Sequence, residues 1–385
     1  METSSNALPP NLRRLRESRG WTQAELAEKA KLTRVGYRNI ETGKAAPRAG
    51  TLQALARALG VSLAALLRPV AQLSQVRFRS LKRLNSREQV LADVGEWLAN
   101  FSQLEQLLDD VKTFDLDEKV RHLQATAGPL SPSALAREVR TLLGLGEVEP
   151  VRDICGLLES AGVKVYRLSV ASDAFFGLSV GRKDGGPAVV VNTWERIAVE
   201  RWIFTAAHEL GHLLLHLDAY DASASDELPN EEKDADAFAA HFLLPEGAFR
   251  KEWAGSAGSS FVDRVLKLKR MFRVSYKTVL YRLSETSALG KQVWGRFPAE
   301  FSRRFGRSLQ KADEPDALAA EAFRAASARA AEEPDGLSPT DFAEDRLHLL
   351  VRRAIERDLI SLGRGGEILG LHLREMRVLA SSWVE

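Results

Sequence analysis

One cysteine, at position 155, is all that this 385-residue chain contains. A lone thiol excludes a disulfide within the chain and suits a reducing compartment; a small buried residue is its ordinary role. No apolar run reaches the roughly 20 residues that a membrane-spanning helix needs. The opening stretch, METSSNALPP, has no basic segment followed by an apolar one, so no secretory leader is read there. Net charge is also nearly absent, at +2, and it averages regions of different character. These absences predict a cytoplasmic protein with no membrane partner. The remainder is ordinary globular material, 45% hydrophobic and 28% charged. Its length exceeds what one core usually organises, which predicts two or three domains.

The most informative stretch is Thr205 to His216, TAAHELGHLLLH, which holds H-E-x-x-H inside a run that reads as helix. Residues four apart on a helix project from one face, so His208 and His212 can share one metal ion. Glu209 beside them can reach a water on that metal. A helix whose apolar stripe merely carries two histidines would show the same letters, and a third ligand decides between the two. The next helical stretch, Pro229 to Pro245, supplies one. Glu232 and Asp236 fall on its apolar stripe with Ala235, Ala239, Phe242 and Leu243. A carboxylate on a buried face is costly without a compensating charge, and a divalent cation provides it. Glu232 would complete a His/His/Glu set, and Asp236 would orient a ligating imidazole. Asp218 stands where another class of zinc peptidase takes its third ligand. Leu215, however, occupies the place of that class's chain-turning glycine, which favours Glu232. His216 and His241 read as ordinary polar residues.

The first 68 residues differ in charge, with 12 Lys and Arg against 5 Asp and Glu. Glycines and Thr, Ser and Asn caps divide this segment into five short helices, two of them joined by a tight turn. Basic charge on a helix-turn-helix outline is the footprint of a phosphate-backbone binder. The run from Trp21 to Val61 resembles the Cro/C1-type (XRE) helix-turn-helix domain through Gln23, Ala24, Leu26, Ala27, Ile40, Glu41 and Gly43. The resemblance implies a third helix in the major groove. Thr33, Arg34, Val35, Arg38 and Asn39 would then lie near base edges, and Gln23, Lys44 and Arg48 near phosphates. It also implies a homodimer on a double-stranded operator. Gly36 within that helix costs about 1 kcal/mol against Ala and asks for a reason.

Between the two regions, residues 75–83 form another basic piece, either extending the DNA contact or forming a solvated face. Arg87 to Asp110 carries apolar residues at helical spacing. Gly128-Pro129-Leu130-Ser131-Pro132 marks a boundary. Beyond it, Val163–Leu168, Phe175–Val180 and Ala188–Asn192 read as strands, the last two joined by a turn at Lys183–Pro187. Asp313 to Pro339 reads as a mobile linker, and three amphipathic helices follow it.

From about Pro132 to Leu283 the chain resembles the ImmA/IrrE family of metallopeptidases, through Arg201–His212, the helix from Glu232 to Pro245, and Phe272–Leu283. The resemblance implies His208, His212 and Glu232 as metal ligands, Glu209 as general base, and Asp236 at a position where the family usually has Asn. It also implies a zinc-dependent endopeptidase that cuts a repressor protein at one site, in stress response or in control of mobile elements. The same ligands accept Mn2+ or Fe2+. A substrate would lie extended along Ala188–Asn192 as an added strand.

The expected fold is mainly α with a small antiparallel sheet. Its expected parts are a five-helix DNA-binding domain (1–68), a helical connector (69–130), an α+β zincin-like metallopeptidase domain (131–285) and a helical C-terminal region (286–385). The competing functional reading is a non-proteolytic transcription regulator whose second domain senses a metal or ligand.

Overall fold

The computed structural model describes residues 7–67, 73–74, 76–78, 86–216, 229–310, 313–319 and 336–384. The chain divides into two compact units, one comprising Met1–Ser74 and Ser80–Gln103, the other Gln75–Arg79 and Leu104–Glu385. Among the described residues no helix is long and apolar enough to cross a membrane.

In the first unit, helices α1 (Leu8–Glu17), α2 (Gln23–Lys29), α3 (Arg34–Glu41), α4 (Ala49–Leu59) and α5 (Leu63–Leu67) follow local signals. Thr22 and Glu25 form a reciprocal capping box at α2, and the Thr33 side chain caps α3. Gly60 closes α4 in the left-handed conformation, at φ 65°. Leu12, Leu26, Tyr37, Leu55 and Leu66 form the centre of a small core. A buried polar network ties the helices together. Arg16 meets Glu41 through two parallel hydrogen bonds of 2.8 and 2.9 Å, and the Tyr37 hydroxyl donates to the same carboxylate. Gly36 has a structural reason: a Cβ there would stand 3.0 Å from Thr33 Oγ1, the oxygen that caps the helix.

Helix α6 (Arg87–Leu108) is amphipathic as its spacing predicts, and the division between units falls within it. The compact units therefore depart from the expected boundaries at 68 and 130. Helix α7 (Leu116–Ala127) contributes Leu116 and Val120 to the second unit's core, because its apolar face packs there. Strand β1 (Val76–Phe78), within the stretch read as a basic piece, belongs to that unit as well.

The second unit continues with α8 (Pro132–Leu142), capped by Ser131, and α9 (Ile154–Ser160). Next come strands β2 (Lys164–Leu168), β3 (Gly177–Val180) and β4 (Ala188–Asn192), then α10 (Val199–Leu215) and α11 (Pro229–Leu243). The sheet is mixed rather than wholly antiparallel. Its order is β1-β3-β4-β2, with β2 parallel to β4 and the other pairs antiparallel. All five residues of β4 are buried, as a continuous apolar run predicts for a central strand. With β3 and β2 on its two sides, β4 has no edge for an added strand, which overturns the expected docking along Ala188–Asn192. One sheet face packs on α10, where Val165, Val189 and Val191 join Ala206, Ala207 and Leu210 in the core.

Helices α12 (Glu246–Gly255), α13 (Phe261–Phe272), α14 (Tyr276–Thr286) and α15 (Val293–Phe305) complete that core. Within the stretch expected to be a mobile linker, residues 313–319 are docked. Glu314 lies 3.0 Å from the buried Lys269 ammonium; the Leu318 N–H donates to the Leu266 carbonyl of α13, and its own carbonyl accepts from the Arg270 guanidinium. Residues 320–335 of that stretch lie outside the described residues. The C-terminal helices are α16 (Arg346–Glu356), α17 (Leu362–Leu369) and α18 (Leu373–Ser381). Cys155 is buried, and burial pushes its thiol well above the usual range.

Candidate metal centre and nucleic-acid interface

Helix α10 is buried along nearly its whole length, so its polar residues have an apolar surround. Three of them, His208, Glu209 and His212, are each at most 3% exposed. The i to i+4 spacing brings the two imidazoles to one face, their Nε2 atoms 3.0 Å apart. Helix α11 packs on α10, where Gly211 lets Phe238 approach; a Cβ at 211 would stand 3.0 Å from that ring. This packing carries Glu232 to the histidine pair. Its Oε1 lies 3.1 Å from His212 Nε2, and its Oε2 lies 3.5 Å from His208 Nε2. One ligand atom from each of the three residues falls within 4.8 Å of the others, a grouping that could hold a metal ion. Asp218, the other candidate ligand, lies outside the described residues.

The outer contacts fix which ring nitrogen faces inward. His208 Nδ1 donates to Asp236 Oδ1 at 2.9 Å, leaving its Nε2 lone pair toward the centre. His212 Nδ1 lies 3.0 Å from His216 Nδ1, and with His212 as donor its Nε2 is likewise an inward acceptor. Two nitrogen lone pairs and a carboxylate aimed at one point repel one another unless a cation lies between them. The donor set therefore fits a divalent ion of zinc type.

Burial works against a charged His208, yet the Asp236 and Glu232 hydrogen bonds carry the ring up to about 9. Burial drives His212 down to about 3, with the neighbouring His208 charge adding to the effect. Burial alone would raise Glu232, but its hydrogen bonds to both histidines hold it well below the usual carboxylate range. Glu209 behaves differently. Burial pushes its carboxyl up to about 7, against the opposing pull of His208 and of the Ser179 hydroxyl. Ser179 on β3 donates to Glu209 Oε2 at 2.8 Å. Gly177, two residues before it, leaves room for Thr205 and Glu209; a Cβ there would stand 2.5 Å from Thr205 Cγ2.

Sequence reasoning missed Ser179, His216 and Arg77. His216 continues the four-residue spacing of His208 and His212, and that was its one signal. Ser179 is a small polar residue in an apolar strand run. Arg77 on β1 reaches Glu231 at 2.6 Å and gave no local sign. His241, read as ordinary, is engaged with Arg282 at 2.7 Å and Glu285 at 3.2 Å.

In the first unit, Thr33, Arg34, Val35 and Arg38 are exposed on or beside α3, and Asn39 is half-buried. Val35 is 68% exposed, unusual for a large apolar residue. Lys44 and Arg48 are exposed in the loop before α4. Gln23, expected near a phosphate, is half-buried at the start of α2, and its amide donates to Glu41 at 2.8 Å. The Thr33 hydroxyl oxygen accepts from the Gly36 amide at 3.0 Å.

Residues 12–66 match the family model described as helix-turn-helix. Residues 158–284 match a peptidase family model described as IrrE N-terminal-like domain. No curated protein matches the chain.

Proposed function

We propose that this chain, which joins an XRE-type helix-turn-helix domain to an ImmA/IrrE-like metallopeptidase domain, is a transcriptional regulator that binds an operator and cleaves a repressor protein. The observation that carries the catalytic half is the convergence of His208, His212 and Glu232, with Glu209 buried beside them. In this reading the two imidazoles and the Glu232 carboxylate are the ligands, and Asp236 and His216 hold the rings. A bound Zn2+, or Mn2+ or Fe2+, would polarise the scissile carbonyl and bring the pKa of a water at its open position to about 7. Glu209 moves the proton. Its carboxylate can accept a proton from the water and release it to the leaving amine. Ser179 keeps its carboxylate oxygen aimed.

The DNA-binding half rests on the basic balance of the first 68 residues and on the exposed α3 surface. Arg34, Val35, Arg38 and Asn39, with Thr33, would face base edges, and Lys44 and Arg48 would contact phosphates of a double-stranded operator bound by a homodimer.

Glu209→Gln is the deciding substitution. It should abolish cleavage of the repressor while metal stoichiometry and operator affinity stay within about twofold. If cells carrying it regulate the target promoter normally, the peptidase reading falls and the sensor reading takes its place.

A further inference from the structure

Strand β1 is a brief visit of the chain to the second unit. Gln75–Arg79 belongs there, while Ser74 before it and Ser80 after it belong to the first. The visit ends beside the candidate metal centre. Val76, Arg77 and Phe78 lie antiparallel along the outer edge of β3, with Arg77 directly opposite Ser179. Ser179 is the residue that holds Glu209. Opposed residues of an antiparallel pair share a face of the sheet, so Arg77 is carried toward the side where Glu209 and the histidines lie. Its Nη2 stands 2.6 Å from Glu231 Oε2 and 3.7 Å from Glu232 Oε1, with the residue only 7% exposed. The guanidinium is thus pinned beside the Glu232 carboxylate.

Such placement is what an extended peptide would need at this site, namely main-chain pairing with a strand edge and one side chain in a charged pocket. Three residues of ladder make few hydrogen bonds, each contributing modestly to stability, so β1 is a displaceable strand. We propose that β1 is a resident, substrate-like strap on the outer edge of β3. It competes in cis with an extended segment in which an arginine lies between apolar residues, and Glu231 is the contact that selects that arginine. The proposal deepens the peptidase reading and takes its biological meaning from it. As part of the same chain, β1 meets this edge intramolecularly, at an advantage over a free peptide. A free peptide therefore binds poorly until β1 is released.

The test uses the full chain carrying Glu209→Gln, loaded with Zn2+, so that binding is read without hydrolysis. The probe is a fluorescent peptide of sequence SQVRFRS, beside a control with Ala at the central Arg. With Arg77→Ala added, the probe should bind at least tenfold tighter than to the chain that keeps Arg77, and the control peptide should lose at least tenfold. Hydrogen exchange of the metal-free chain gives a second readout. Amides of 177–180 should lose protection in Arg77→Ala while those of α10 keep theirs. Glu231→Gln, which leaves every proposed ligand in place, should open the same amides without giving tight probe binding. Equal probe affinity with and without Arg77, no binding to the Arg77→Ala chain, or unchanged exchange at 177–180 in both variants would each overturn the strap. Failure of the peptidase reading has a separate sign: the metal-loaded Arg77→Ala chain with Glu209 intact would bind the probe but leave it whole.

Discussion

Asp236 and His216 approach the two proposed ligand rings from behind, each within 3.0 Å of an Nδ1 atom. Neither touches the point where the Nε2 atoms converge, so their effect on a metal must pass through ring orientation and tautomer. Removing such a partner commonly lowers metal affinity 10- to 100-fold. Asp236→Ala and His216→Ala should each fall in that range by competition with a chromophoric chelator, while Glu209→Gln should not. Wild-type affinity in His216→Ala would make the His212 contact incidental. Asp236 was legible beforehand because a carboxylate on an apolar stripe raises a question that the sequence itself poses. His216 was not, because a histidine at the end of a helix needs no partner, and only the fold showed that His212 turns toward it.

Among the elements, α16 is held at its start by a carboxylate from α9, and Glu105 and Asp110 pair with its Arg346 and Arg353. Glu159 on α9 accepts from the backbone N–H groups of Asp345 and Arg346 at 3.4 and 3.2 Å, where α16 begins. Burial pushes Glu159 up to about 7; these hydrogen bonds oppose the shift, and the nearby Glu344 and Asp345 charges add to it. The unfolded carboxyl releases its proton near the ordinary value of about 4.3. Between that value and 7 the folded chain keeps a proton that the unfolded chain has lost. The stability contributed by neutral Glu159 is thus complete at low pH and falls as pH rises through the folded value. The loss is at most about 4 kcal/mol. Urea unfolding of the second unit should show this decline between pH 5 and 7.5, and Glu159→Gln should flatten it; an unaltered slope in the variant would assign the decline elsewhere. This contact spans 186 residues of chain, and no pattern in the sequence announces it. The same distinction separates what could be read from what could not. Helices α2, α3 and α8 carry their own caps, and α10 carries its motif, so local letters sufficed. The parallel pairing of β2 with β4 is non-local. Strand β1 is three residues long and has too little periodicity to separate it from a solvated basic stretch.

For the molecule as a whole, two compact units with unlike chemistry should respond to unlike ligands. In the first, base-edge and phosphate contacts separate by salt. Arg34→Ala should relax base preference at one operator position, whereas Lys44→Ala should weaken all sequences alike and reduce the salt slope by about 1. Fluorescence anisotropy at several salt concentrations distinguishes them, and binding that neither change alters would give α3 another role. The second unit holds the donor set that could bind a metal ion. A ligand that binds only the folded form adds roughly 2.7 kcal/mol of stability at a hundredfold excess over its Kd. Zn2+ should therefore raise the unfolding transition of the second unit, and a chelator should lower it. Operator DNA should move only the transition of the first. Calorimetry of the full chain, with each ligand alone and then both, gives the comparison. A single transition moved by either ligand would mean that the two units unfold as one. Energetic coupling between operator and metal would then become a property that any account of regulation has to include.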